Sequence, residues 1–411
     1  MRARVEQGEL KDAADERFGV AAGGGVVAGD RGSASNVGEA ARGEVASRAA
    51  VARARSLRVL LVGPSTDILG GQAVQAARLL ERFRAEPSLE VGFLPINPRL
   101  PGPLGRLQRI KYVRTVVTSI AYVASLLARV HRFDVVHIFS ASYFSFVLAP
   151  TPAVLVSKLY GRKTLLNYRS GEAEDHLRRW RRTAIPTVRL FDRVAVPSGY
   201  LVDVFGRFGL SATSVFNFVD GARFRFRERK PLRPVFLSNR NLEPLYNVGC
   251  VLRAFALIQR RHGDARLTVA GDGSQRAALE RLARELNLKN VEFVGRVPPE
   301  RMPGLYEAAD IYLNAPDIDN MPGSVIEAFA SGTPVVTTDA GGIPYIVADG
   351  ETGFVVPRGD AEALAERACL LLADDALAQT LIERARRECE KYSWESVRGE
   401  WLALYRELAR G

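Results

Sequence analysis

From Leu57 onward, short runs of β-branched and other apolar residues alternate with longer stretches in which apolar positions recur every three to four residues. An apolar run without polar alternation reads as a strand buried on both faces, and a helical stretch between two such runs reads as a crossover joining parallel neighbours. The pattern predicts strands over Arg58–Val62, Val91–Ile96, Val135–Phe139, Thr164–Tyr168, Arg193–Val196 and Ser214–Phe218. A second series is predicted over Val235–Ser238, Arg266–Ala270, Val291–Val294, Ile311–Asn314, Pro334–Thr337 and Phe354–Val356, with helices at Asn247–Arg261, Gln275–Leu286 and Ala361–Leu372. Between the series, Asp220–Pro234 is polar, arginine-rich and closed by two prolines, which is the composition of a linker. The expected fold class is α/β, with two Rossmann-like domains whose parallel sheets face a cleft and whose ligand residues lie in the loops after strands.

Three segments fall outside this pattern. Residues 1–55 are rich in Ala, Gly, Glu and Arg and poor in large apolar side chains, so they are expected to be a disordered extension. Lacking an apolar stretch of about 7 to 15 residues, they do not read as a signal peptide. The uncharged window Thr115–Ala128 has fourteen residues, fewer than the about 20 that a spanning helix needs. The longer window Val135–Ser157 is interrupted by Ser140, Ser142, Ser145, Pro150 and Pro152 and opens like a buried strand. Neither window is expected to cross a membrane.

The remaining composition narrows the class. The 411 residues are 47% hydrophobic and 25% charged, an ordinary globular profile. Cys250, Cys369 and Cys389 are odd in number and far apart, which offers no disulfide framework and suits a reducing compartment. Net charge is +1 over residues 1–55, +15 over 56–230 and −5 over 231–411. A half so basic suggests an anionic partner, such as a phosphorylated lipid, a membrane face, nucleic acid or an acidic polymer, without choosing among them. No G-x-x-x-x-G-K-[ST], H-E-x-x-H or G-x-S-x-G motif is present.

Two segments carry candidate chemistry. After the first strand, Gly70-Gly71 precedes a helix predicted from Ala73 to Phe83; glycines at such a turn let backbone N–H groups approach a phosphate, or serve only as a tight turn. The spacing is not that of a dinucleotide-binding loop. In the segment from Asn314 to Val336, Asp319 follows a strand and Glu327 lies eight positions later, in the first turn of a short helix. Two carboxylates at one cleft suit vicinal hydroxyls of a ribose or hexose, because a charged acceptor strengthens each hydrogen bond. Gly323, Ser324 and Val325 open that helix and offer N–H groups to a phosphate, although a helix-start acid such as Glu327 also has a purely structural use. Asp317-Ile-Asp319 matches a D-x-D metal pattern, but no further acidic or histidine cluster completes an oxygen site, so no metal or cofactor is expected.

An ordered series of motifs resembles the retaining glycosyltransferases of family 4, which have the GT-B fold. It runs through Gly70-Gly71, Phe216-Asn217-Phe218-Val219-Asp220, Leu237-Ser238-Asn239-Arg240, Val269-Ala270-Gly271-Asp272-Gly273, Phe293-Val294-Gly295-Arg296-Val297, the Asp319 and Glu327 pair, Gly341-Gly342-Ile343-Pro344 and Asp349-Gly350-Glu351-Thr352-Gly353-Phe354. The resemblance implies an acceptor domain over 56–225, a nucleotide-sugar donor domain over 226–393 and a helix over 394–411 that returns to the first domain. In it, Trp394, Trp401 and Tyr405 line that return or serve as ordinary core. It implies that Glu327 holds the donor ribose, Asp319 the transferred sugar's hydroxyls and Arg240 the diphosphate, with backbone around Arg296 and Val297 reading the base. The implied activity is metal-independent transfer of a hexose from a UDP- or GDP-sugar to a hydroxyl of a lipid-linked or polysaccharide acceptor. The diphosphate leaves as the acceptor attacks from the same face, and a diphosphate oxygen takes the proton.

The chain departs from the family pattern at four positions. Asp319 replaces a Glu, Tyr345 follows G-G-x-P in place of a Glu, Tyr246 or Asn247 falls where a second basic residue is usual, and Arg169 replaces a His. Arg169 restores positive charge near the leaving group but cannot act as a histidine base. A catalytically silent homologue that binds nucleotide or a partner, and a sugar-nucleotide epimerase, are the competing functions. Basic residues Arg106, Arg109, Lys111 and Arg114 beside the apolar Val116–Leu127 segment, and Arg178 to Arg182 around Trp180, suit a cytoplasmic location at the inner face of an anionic membrane or simply a solvated helix face. Nucleic acid is not an expected partner.

Overall fold

A computed structural model gives the structure of residues 56–65, 71–100, 112–140 and 142–410, together with 105, 108 and 110. The extension over 1–55, Gly70, Arg106, Arg109 and Lys111 lie outside the described residues. The first sheet contains β1 (Leu57–Gly63), β2 (Leu89–Pro95), β3 (Val135–Ser140), β4 (Lys163–Tyr168), β5 (Arg193–Val196) and β6 (Thr213–Ser214), all parallel in the order β2-β1-β3-β4-β5-β6. The second contains β7 (Val235–Ser238), β8 (Arg266–Ala270), β9 (Val291–Gly295), β10 (Ile311–Asn314), β11 (Val335–Thr338) and β12 (Phe354–Val356), parallel in the order β12-β11-β10-β7-β8-β9. Every residue of β3 and β10 is buried, which explains apolar runs without alternation.

Each sheet reverses its winding once, between β1 and β3 and between β7 and β10. Loops leaving the carboxyl ends of strands at such a reversal diverge and open a crevice. One predicted strand is shorter than expected. The ladder beside β5 ends at Ser214; Val215 N–H still donates to Val196 O at 2.8 Å, after which Phe216 and Phe218 turn to pack on Tyr392 and Trp394.

Six helices matter for the site and its surroundings. Helix α1 (Gly71–Arg84) buries Ala73, Ala76, Leu80 and Phe83, spaced for one helical face. Helix α2 (Val113–Arg129) buries Tyr122 and Leu126 and runs on as a 3-10 turn to Arg132. The resulting 20-residue run, with mean hydropathy 1.4 in its most apolar window, is long and apolar enough to cross a membrane by length and composition. The fourteen-residue window underestimated it, because the helix continues through flanking arginines that bounded the uncharged stretch. The second window is no single helix: it holds β3, a short helix over Phe144–Leu148 and α3 (Pro150–Leu159). Helix α4 (Val248–Arg261) is capped by Asn247, whose side chain accepts from Cys250 N–H at 3.2 Å. Helix α5 (Gly323–Ser331) ends at Gly332, with φ 69°.

The last helix, α6 (Trp394–Arg410), lies on the first sheet, where Trp394, Trp401 and Tyr405 surround Phe83 at ring distances of 5.6, 6.1 and 5.4 Å. The chain therefore passes between the two sheets twice, near Phe216–Asp220 and near Glu390–Ser393, and Val219 N–H donates to Tyr392 O at 3.0 Å where the passages meet.

Three arginines of the linker are pinned to the second half of the chain. Arg229 is fully buried and donates to the carbonyls of Ala309 (2.9 Å), Tyr306 (2.7 Å) and Ser331 (2.5 Å). Arg227 and Arg233 bond the buried Asp310 carboxylate. Burial works against that charge, but the guanidiniums outweigh it and hold the Asp310 carboxyl below the usual range.

Candidate active site

The start of α1 and the loops after β4, β7 and β10 meet around a cavity of about 630 Å³, of a size that takes a small-molecule ligand. The loop after β4 contributes Arg169, that after β7 Asn239 and Arg240, and that after β10 Asp319; α1 contributes Gly71 and Arg78, and α5 contributes Gly323, Ser324 and Glu327. Close backbone packing shapes the wall. A Cβ on Gly341 or Gly342 would lie 2.2 Å from Asp319 O or 2.0 Å from Asn320 O, so the G-G-I-P motif lets the acidic loop settle against it.

Arg240 Nη2 bonds Asp319 Oδ2 at 2.5 Å, and Nη1 bonds Ser324 Oγ at 3.0 Å. Both partners of the ion pair are nearly enclosed, with side chains 11% and 12% exposed. Burial works against the guanidinium's charge, but the Asp319 carboxylate outweighs it and holds Arg240 above its ordinary range. Tyr246, where a second basic residue was the family expectation, puts its ring 4.2 Å from the Arg240 guanidinium. It supplies no charge and instead packs against the plane of the Arg240 guanidinium. Asn247 Nδ2 donates to Asp317 Oδ1 at 3.1 Å, so the two carboxylates of the D-x-D sequence have separate partners.

Glu327 is buried, and both of its oxygens have partners. Oε1 accepts from Arg78 Nη2 at 2.9 Å, and Oε2 lies 3.2 Å from the Tyr306 hydroxyl, which also reaches Ser324 O at 2.9 Å and accepts from Asn239 Nδ2 at 2.8 Å. Burial, with the Glu327 charge beside it, pushes the Tyr306 phenol well above its usual range. Tyr306 thus stays a neutral donor. Arg169 is half-buried on the opposite wall, where burial pulls its pKa down to about 10, and it donates to the amide oxygens of Asn167 and Asn217.

The other expected site residues are distributed less evenly. Gly71, the first residue of α1, lines the cavity with open space where its Cβ would be; Gly70 lies outside the described residues. Arg296 and Val297 line the base of the cavity, and Arg296 Nε faces Asp272 Oδ2 at 3.6 Å. Val325 does not reach the cavity. It is fully buried, and its N–H donates to Pro322 O at 3.2 Å within the first turn of α5, so the structure corrects the expectation that this amide is offered to a phosphate. Tyr345 donates to Asp203 Oδ2 at 2.6 Å, joining the loop after β11 to the first half of the chain. In the basic cluster around Trp180, Arg178 and Arg179 pair with Glu174 and Asp175 one turn earlier.

Sequence reasoning missed Arg78, Asn239, Asn217 and Tyr306. Arg78 had a readable signal, since Gly71, Gln75 and Arg78 form a polar i, i+4, i+7 row on α1 opposite its apolar face. Tyr306 had none, because in sequence it is one more apolar position of a short helix.

Residues 222–388 match the family model "Glycosyl transferases group 1". The chain is 25% identical over 388 residues to a phosphatidyl-myo-inositol mannosyltransferase of Mycobacterium leprae, covering 86% of this chain and 97% of that protein. It is 35% identical over 176 residues to a D-inositol 3-phosphate glycosyltransferase of Corynebacterium urealyticum, an alignment covering 41% of each chain and so less than half of that relative's length. Its fold is similar to that of the sucrose-phosphate synthase of Thermosynechococcus elongatus, with TM-score 0.70, 21% identity, and coverage of 86% of this chain and 99% of that one. Residues 222–388 thus match the group 1 glycosyltransferases, on a fold of two parallel six-stranded sheets that is similar to that of GT-B glycosyltransferases.

Proposed function

We propose that the protein moves a hexose from a UDP- or GDP-sugar to a hydroxyl of a lipid-linked or polysaccharide acceptor, with retention at the anomeric carbon and without a metal. The supporting observation is that Glu327, the Arg240 and Asp319 pair, Arg169 and Gly71 meet in one cavity at the carboxyl ends of both sheets. In this mechanism Glu327 accepts from the ribose hydroxyls while Arg240, Arg169 and the Gly71 amide face charge developing on the leaving diphosphate. The acceptor hydroxyl attacks from the same face and passes its proton to a diphosphate oxygen. Residues 56–225 form the acceptor side and 226–393 the donor side. Calorimetric titration with UDP, GDP and ADP, followed by a nucleotide-release screen over their sugars, tests this. One diphosphate should bind, and its sugar should be consumed only with an acceptor. Failure of all three to bind a folded sample, or conversion of donor without acceptor, overturns the proposal.

The acceptor side carries an apolar surface that supports a lipid-borne acceptor, in keeping with the name of the mycobacterial relative. Helix α2 exposes Val116 (59%) and Ile120 (65%), and α3 exposes Leu159 (72%). The two elements adjoin where the Tyr160 hydroxyl donates to Leu127 O at 3.0 Å. Arg114, Arg129 and Arg132 flank this face. Apolar side chains ringed by cations suit peripheral attachment to the inner, anionic face of the cytoplasmic membrane. The protein should co-sediment with vesicles containing anionic lipid, and I120D with L159D should abolish this. Equal pelleting with neutral and anionic vesicles counts against attachment.

A further inference from the structure

Four guanidiniums line the cavity, and three have their charge matched by a carboxylate: Arg78 by Glu327, Arg240 by Asp319 and Arg296 by Asp272. Arg169 differs. Among the described residues it has no carboxylate within ion-pair distance, and its protein partners are two neutral amides. Nη1 donates to Asn167 Oδ1 at 3.3 Å, and Nη2 donates to Asn217 Oδ1. Even a half-buried guanidinium is ordinarily offset by an acid, because an unmatched charge drawn out of water is costly. Here the matching is withheld, and the charge stays available to the cavity.

The two amides are themselves locked. Asn217 Nδ2 donates to Met321 O at 2.8 Å, in the loop that leads into α5. Turning that amide over would set its NH2 against the guanidinium and its oxygen against a carbonyl, so only one orientation satisfies both neighbours. Asn167 Nδ2 donates to His137 Nε2 at 3.0 Å, which makes Nε2 the acceptor and leaves the proton on Nδ1, 2.7 Å from the Tyr405 hydroxyl of α6. Burial and the nearby Arg169 charge keep His137 neutral, its pKa pulled down to about 3. The ring also stacks on Phe139 at 5.0 Å and 8°. A single chain of hydrogen bonds thus runs from Tyr405 through His137, Asn167, Arg169 and Asn217 to the donor loop, with no acid in it.

We propose that Asn167 and Asn217 are positioning residues that hold Arg169 as an unmatched cation for the diphosphate of the donor, with His137 fixing the orientation of Asn167. This rests on the proposed function above, in which Arg169 faces the leaving diphosphate. It adds that the neutrality of the two amides, and not only their shape, sets diphosphate affinity.

The test introduces an acid without changing shape. N217D and N167D are titrated calorimetrically with UDP and GDP and with the matching nucleosides, uridine and guanosine, beside wild type and R169A. Each Asn→Asp change should weaken the diphosphate that wild type binds by about 10- to 100-fold, the scale of a lost charge-assisted contact, and leave the nucleoside within about twofold. Equal weakening of diphosphate and nucleoside in both variants means general damage and overturns the proposal. If R169A loses diphosphate affinity while N217D and N167D keep it, the positioning role falls and the Arg169 assignment stands. If R169A binds diphosphate like wild type, the Arg169 assignment falls with it.

Discussion

Arg240→Ala should cost about 3–5 kcal/mol of folding stability, because it leaves the Asp319 carboxylate enclosed without its cation. Thermal denaturation should register this as a clear fall in midpoint, and nucleotide release from the donor sugar should fall below detection. The two losses have separate causes, and a second variant divides them. R240M with D319L removes both charges together and fills their space with apolar atoms, an exchange that is often neutral or stabilising. The double variant should regain most of the thermal midpoint and none of the turnover. Wild-type turnover in R240A would remove Arg240 from the site.

Glu327→Ala should lower kcat/KM by about 100- to 1000-fold, the worth of two hydrogen bonds from ribose hydroxyls to a charged acceptor. The same variant should lose any preference for UDP or GDP over its 2′,3′-dideoxy counterpart, measured by calorimetry. Wild type binding the two forms equally would exclude Glu327 as the ribose ligand. The carboxylate is held by Arg78 from one half of the chain and by Tyr306 from the other, so its orientation depends on both halves. E327Q separates charge from shape. It keeps an oxygen for one of these partners and should retain more stability than E327A while losing comparable turnover.

The sequence was most informative where the physics is local. Strands such as Arg193–Val196, Val235–Ser238 and Ile311–Asn314 appear with their expected limits, since an uninterrupted apolar run reports burial on both faces. Arg240 and Asp319 stand in the loops after β7 and β10, and Glu327 in the helix that follows β10, but the roles given to them came from the family resemblance. Pairings across long separations were not legible. Arg78 and Glu327 stand 249 positions apart, and nothing in the local pattern of either names the other. Tyr246 illustrates a different limit. It occupies a position where a cation was expected, and only the placement of its ring against Arg240 reveals a supporting role. The linker's composition gave no sign of what its arginines bind, because Asp310, which gathers Arg227 and Arg233, lies nearly eighty residues downstream.

The double passage of the chain between its sheets has a mechanical consequence. Two adjacent connections, joined by the bond from Val219 to Tyr392 and by the Phe216 and Tyr392 rings at 5.3 Å, resist twisting and sliding but permit bending. A change in the angle between the two sheets would have to be taken up by torsions near Phe216–Asp220 and Glu390–Ser393. It would also break the Arg78 contact with Glu327 and the Tyr345 contact with Asp203, which tie the two halves of the chain together.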